Sequence, residues 1–362
     1  MQHLNGLKYI AQHAPEQLTL LGSKSTLHTR SGTHPAVISY PRFDEDSLQP
    51  GIMRAYAAML PFVLQKTPLS TTLLSVIHTQ IYRDSSYVLY DNLGQFRGFG
   101  KWSGNLFSTY KLYQTVVSQA GMYELLEAQK RDLCYCETAY QKPLHSITEI
   151  KEQLVSPTGY FCVSGYRAGF SWFDLNALQD KIEQQQRMFS SDGQCLSNFT
   201  QEEQNTLELE IQSIFQRWRI HFNEILINLF ALFEQNISQS TQQEHAILRE
   251  IAKFIKDLLY VHPFFEGNLR CIGIVFCNTL LMRYGFYPAI IEDPFAWRGF
   301  SADEMVEKLQ KGMQSFYARV VHVKQNESIQ HLSTTSTYSQ QLVEPFQSAL
   351  LGLKIPEVNA LE

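Results

Sequence analysis

Cys271–Tyr284 limits what this chain can fold into more than any other stretch. It reads Cys-Ile-Gly-Ile-Val-Phe-Cys-Asn-Thr-Leu-Leu-Met-Arg-Tyr, apolar on every side of a helix until Arg283. A helix without a polar face has to be enclosed by other elements, so the rest of the chain must supply a shell. Helical stripes upstream offer one. Large apolar residues from Leu207 through Trp218 and Phe222 to Phe233 recur at three- and four-residue steps, and Ile247, Ile251, Phe254, Ile255, Leu258 and Leu259 repeat the pattern. Three Ser/Thr-x-x-Glu capping boxes, Thr200 with Glu203, Thr241 with Glu244 and Ser301 with Glu304, mark helix starts. The last opens a helix to about Val320.

The first half is more varied. Ile52–Gln65 reads as a helix broken by Pro61, Leu73–Tyr82 as a second and Leu106–Leu133 as a longer third. Residues 20–50 look loop-rich, with a β-like run from Ala36 to Tyr40. Gly94–Gly100 reads as a turn or hairpin, Tyr160–Phe173 as an exposed β-hairpin and Leu175–Met188 as helix. Residues 326–362 read as a polar tail or docked extension, with Ala349–Val358 as its apolar anchor. The fold class is mainly α.

With 362 residues, 44% of them hydrophobic, the chain can bury a large core. Thirty Lys and Arg against thirty-five Asp and Glu leave a formal charge of −5, which supplies no cationic surface for nucleic acid. Six cysteines form no secreted framework, and Cys134 and Cys136 lack the second pair of a zinc site. The greasy run Ile225–Phe233 is too short to span a bilayer, and no signal peptide opens the chain, so the expectation is a soluble, cytoplasmic protein with no membrane span. His78, His145, His221 and His245 have no ligand spacing with one another and read as structural or exposed.

The chemistry concentrates just before the buried helix, in Tyr-Val-His-Pro-Phe-Phe-Glu-Gly-Asn-Leu-Arg from Tyr260. Pro263 ends the preceding helix and leaves His262 at its end, facing a loop. Gly267 permits an unusual backbone, Asn268 is a favoured N-cap, and the helix that starts there directs amides and the positive end of its dipole at the loop. Such a start binds anions, and Arg270 in the first turn adds a planar fork for phosphate oxygens. Glu266 repels a bare polyphosphate but suits a magnesium ion bridging its oxygens. His262, with an ordinary pKa near 6.5, is suited to take a proton from a hydroxyl.

His262-Pro263-Phe264-Phe265-Glu266-Gly267-Asn268-Leu269-Arg270 resembles the Fic signature, His-Pro-Phe-x-Asp/Glu-Gly-Asn-Gly-Arg, with Leu269 in place of the last glycine. The resemblance implies a helical catalytic domain with a small β-hairpin flap over residues 136–325; residues 1–135 read as an N-terminal, mostly helical and loop-rich module with target recognition or placement as its expected role, before the extension at 326–362. It implies transfer of AMP from Mg-ATP to a Ser, Thr or Tyr hydroxyl of a target protein, with Mg2+ as cofactor and ATP as co-substrate. His262 is then the general base, Glu266 the metal ligand, Gly267, Asn268, Leu269 and Arg270 the phosphate site, and Phe264 a buried anchor.

Two departures leave other donors (UMP, phosphate, phosphocholine) and a catalytically silent scaffold open. Leu269 can crowd the phosphates, and Gly273 stands where many members carry a second arginine. The family's inhibitory Ser/Thr-x-x-x-Glu-Gly/Asn motif is not found in the chain, so no internal glutamate inhibition is expected. For the flap, Tyr160–Phe173 is favoured over Gly94–Arg97. By analogy with family members that bacteria deliver into host cells, the polar tail would suit a secreted protein.

Overall fold

Helix dominates wherever apolar residues recur at helical steps. The computed structural model describes residues 2–22, 48–84, 93–96, 104–108, 117–138, 144–155, 160–164, 180–181, 200–240, 243–264, 267–294, 296–326 and 337–353. In chain order the elements are α1 (Gln2–His13), a 3-10 turn (Pro15–Gly22), α2 (Gln49–Gln65), α3 (Thr71–Tyr82), β1 (Gly104–Ser108), α4 (Gln119–Lys130), β2 (Tyr135–Thr138), α5 (Ile147–Val155) and β3 (Tyr160–Ser164). Then come α6 (Gln201–Gln239), α7 (Glu244–Val261), α8 (a π-helical run Leu269–Phe276 continued by the α-helix Cys277–Arg283), α9 (Ala296–Gly299), α10 (Ala302–Asn326) and α11 (Thr337–Leu351).

The apolar segment is enclosed as its composition requires. Cys271 through Met282 are all buried, with α2, α3 and α7 packed on α8 and α10 on the far side of α7. Its few polar groups are paired inside: Asn278 donates to the Tyr56 hydroxyl (3.0 Å) and brackets Ala289 by accepting from its N–H (2.7 Å) and donating to its carbonyl (3.2 Å). One apolar core runs from Leu4 to Leu350. Because α2 and α3 lie directly on α8, the boundary drawn at residue 135 does not coincide with a break in the packing.

Several expectations are corrected. Pro61 sits inside α2 without ending it. Leu106–Leu133 is not one helix: Leu106–Ser108 belongs to β1, and α4 within this stretch starts at Gln119, where the Ser118 side chain caps the Gly121 amide at 2.8 Å. α7 begins with Gln243 as N-cap and no side-chain cap, while Thr241 lies outside the described residues. The other two boxes form: the Glu203 carboxylate accepts from the Thr200 amide (2.7 Å), and that of Glu304 from the Ser301 amide (2.7 Å). Ala36–Tyr40 lies outside the described residues, as does Leu175–Met188 except for Asp180 and Lys181.

The sheet has the order β1-β3-β2, antiparallel throughout. All five residues of β3 pair with β1, and four of them also pair with β2. Tyr160–Ser164 is therefore a central strand with neither edge free to accept a further strand, so the favoured flap is not available there for strand addition. Residues 165–173 lie outside the described residues.

The C-terminal extension docks. Val343, Phe346 and Leu350 of α11 are fully buried, with α11 packed on α2 and the 3-10 turn, so the anchor starts upstream of the expected Ala349–Val358 and overlaps it at Ala349, Leu350 and Leu353. Phe346 packs against Tyr56, ring centroids 5.5 Å apart. Truncating Phe346 to alanine leaves a cavity in this interface and is expected to cost about 3 kcal/mol, read as a lower urea midpoint at unchanged m-value.

Candidate functional site

α7 is tied to α4 and the α9 turn before it reaches the motif. Asp257, buried, accepts two hydrogen bonds from Arg131 at 2.7 and 2.8 Å. Lys256, also buried, lies 3.4 Å from Glu124 and donates to the carbonyls of Trp297 and Phe300, while burial pulls its ammonium below the ordinary lysine range. These bonds join α4, α7 and the α9 turn, which fixes where α7 ends. Cys134, nearby, is buried and unbridged, and burial pushes its thiol up.

α7 ends at His262, whose backbone is left-handed (φ 55°, ψ 62°) and whose amide closes the last turn on Leu258 at 3.0 Å. A non-glycine residue in this region is strained and persists only where its surroundings hold it. Asn268 is that holder. Its side chain accepts from the Phe264 amide (2.9 Å) and donates to the Phe264 carbonyl (2.7 Å), and its amide nitrogen lies 3.1 and 3.3 Å from the two ring nitrogens of His262. An amide N–H can only donate and a neutral imidazole accepts through one of its two nitrogens, so the contact holds the ring in place, and the nitrogen it pairs with follows the tautomer.

Asn268 was expected to cap the new helix. Instead its backbone is already helical (φ −54°, ψ −42°), its side chain makes no cap bond, and it is 2% exposed. Its role is inward: it closes the loop on itself.

Phe264 is a buried anchor. It stacks on His78 (centroids 4.2 Å, 18°) and meets Phe96 at 5.4 Å, while the His78 Nδ1 accepts from the Gly94 amide at 3.1 Å. The Gly94 turn therefore rests on the motif, and of the two flap candidates it is the one whose described residues reach Phe264.

Gly267 is left-handed at φ 78°, and a side chain there would collide with Tyr82, whose hydroxyl lies 2.3 Å from an added Cβ. Leu269 is 6% exposed and packs into the apolar core, leaving its backbone as its contribution to the loop. Arg270 is 3% exposed and donates Nη1 to the Tyr82 hydroxyl at 3.2 Å. Gly273 is covered by Trp297: the indole donates to the Gly273 carbonyl at 3.1 Å, and an added Cβ would lie 3.0 Å from the ring. Here α8 is π-helical, with the Cys277 amide reaching back to Ile272, and π-helical turns occur often at functional sites.

Of the expected residues, the structure thus gathers His262, Phe264, Gly267, Asn268, Leu269 and Arg270 around one tight loop, whereas Glu266 lies outside the described residues. Among the described residues no group of three His, Cys, Asp or Glu could hold a metal ion. A magnesium ion carried by nucleotide phosphates needs only one or two protein carboxylates, and Glu266, next to Gly267 in sequence, is the hard oxygen donor suited to it.

His78, read from the sequence as structural or exposed, is buried and structural, while its place under Phe264 and that of Tyr82 beside Arg270 were not foreseen. Their signal was present, since a four-residue step on one helix puts both on the same face.

No helix among the described residues is long and apolar enough to cross a membrane. No model of a known protein family matches the chain, and no curated protein matches its sequence.

Proposed function

We propose that the chain is a Fic-type protein adenylyltransferase that moves AMP from ATP to a Ser, Thr or Tyr hydroxyl of a target protein. The observation that carries this reading is the Asn268 clamp, which ties the His262 ring to the start of the helix bearing Arg270. A candidate base and a helix start suited to an anion are thereby tied to one another, the kind of arrangement that in-line transfer to a hydroxyl calls for.

His262 takes the proton of the target hydroxyl as its oxygen attacks the α-phosphorus. The bond from that phosphorus to the bridging oxygen breaks, and pyrophosphate leaves with its charge facing the helix start and Arg270. Bound magnesium would neutralise phosphate charge, with Glu266 as its protein ligand. Asn268 keeps the imidazole in place, and Phe264 keeps the loop on α3 through His78.

A second reading keeps the fold and changes the donor to one carrying UMP, phosphate or phosphocholine. It is favoured by Trp297, which fills the space beside Gly273 and leaves Arg270 as the arginine of this segment. Labelled ATP separates the two. With candidate target proteins and magnesium, label at the α-phosphate is expected to enter protein while label at the γ-phosphate is not. Incorporation from the γ position alone means phosphate transfer, and incorporation from neither, with other donors active, moves the assignment to the second reading. Nucleotide binding without transfer from any donor leaves a silent scaffold.

A further inference from the structure

We infer that Tyr82 is a displaceable plug on the nucleotide site, holding Arg270 where a phosphate oxygen would hold it. The inference rests on the reading of residues 267–270 as that site.

Three observations converge on the phenol. It is fully buried at the last residue of α3. Its oxygen accepts from the Arg270 guanidinium at 3.2 Å, in a contact that is itself buried. The same oxygen and ring lie against Gly267, so close that no side chain fits between them. One neutral oxygen therefore stands where the arginine fork meets the backbone that opens α8.

A phosphate oxygen suits that place better, because a charge-assisted hydrogen bond is roughly twice as strong as a neutral one and the helix start favours an anion. The phenol must first leave. The preceding turn of α3 is fixed by His78, stacked on Phe264 and bonded to Gly94, so the movement falls on the last turn and the Tyr82 side chain. Apparent affinity is then the intrinsic affinity scaled by the open fraction. Nucleotide and Tyr82 compete, and anything that draws the end of α3 away, such as a docked target, promotes nucleotide binding.

The test uses the full chain with magnesium and ATP, and separately inorganic pyrophosphate, in titration calorimetry beside urea unfolding. Tyr82→Phe keeps the ring and removes the bond to Arg270. It is expected to lower the Kd for ATP about tenfold, the factor for one hydrogen bond to a charged group. Adding Arg270→Ala to Tyr82→Phe is expected to erase the gain. A purely structural Tyr82 lowers the urea midpoint and leaves the Kd unchanged, which overturns the plug and leaves the transferase reading standing. ATP and pyrophosphate bound by neither the wild type nor folded Tyr82→Phe overturns both. Should Tyr82→Phe not fold, fluorotyrosine at position 82 of the otherwise unaltered chain reports directly: its resonance is expected to move toward the solvent-exposed value on ATP binding, and a resonance unmoved at saturation overturns the plug.

Discussion

Replacing His262 with asparagine is expected to lower AMP transfer by about a hundred- to ten-thousand-fold, the usual worth of a positioned general base. Asparagine is the better choice over alanine here for a backbone reason. His262 is left-handed, a region that asparagine enters readily and alanine enters at about 1–2 kcal/mol. His262→Ala therefore confounds loss of the base with strain at the end of α7, whereas His262→Asn keeps the turn and removes the imidazole. The check is the rate of label incorporation from α-labelled ATP, with urea unfolding to confirm that the fold is kept. Equal rates for His262→Asn and wild type exclude His262 as the base. A rate that falls only in proportion to the folded fraction assigns His262 to the scaffold.

The parts of the molecule legible in the sequence are those set by periodicity. The buried α8, the stripe of α7 and the caps at Thr200 and Ser301 follow from local spacing, although the same spacing at Thr241 and Glu244 gives α7, with Gln243 as its N-cap, no side-chain cap. What was not legible depends on partners distant in the chain. Leu106–Ser108 forms a strand because Tyr160–Ser164 pairs with it, a contact no helical wheel contains. Asn268 looks like a cap in isolation, but its side chain is drawn to the Phe264 peptide four residues back. At the site, the motif residues are adjacent in sequence and therefore visible. His78 and Tyr82, which hold Phe264 and Arg270, arrive from a helix some 190 residues earlier, as the Arg270–Tyr82 separation of 188 shows. Gly273, where the chain departs from the Fic signature it resembles, likewise meets such a partner: the Trp297 ring borders the space a side chain would use.

That last contact makes Gly273→Arg the most disruptive change expected in α8. Restoring an arginine three residues after Arg270 looks like a gain of phosphate binding, yet the structure gives it nowhere to go. An added Cβ alone lies 3.0 Å from the Trp297 Cδ1, 3.2 Å from its Nε1 and 3.7 Å from a Leu259 methyl. Alanine asks these neighbours to yield by a few tenths of an ångström, and Gly273→Ala is expected to cost about 1 kcal/mol. Arginine must expel the indole or bury a charge among apolar groups, and its expected cost exceeds about 4 kcal/mol. The indole cannot leave cheaply, because it is fully buried and its Nε1–H donates to the Gly273 carbonyl at 3.1 Å. Urea unfolding of Gly273→Arg, Trp297→Ala and the double variant decides the point. With the indole removed, the arginine gains room, so the double variant is expected to be more stable than the sum of the two single losses allows, by at least about 1 kcal/mol. Strictly additive losses would mean that the two positions do not meet and that the absent arginine has another cause.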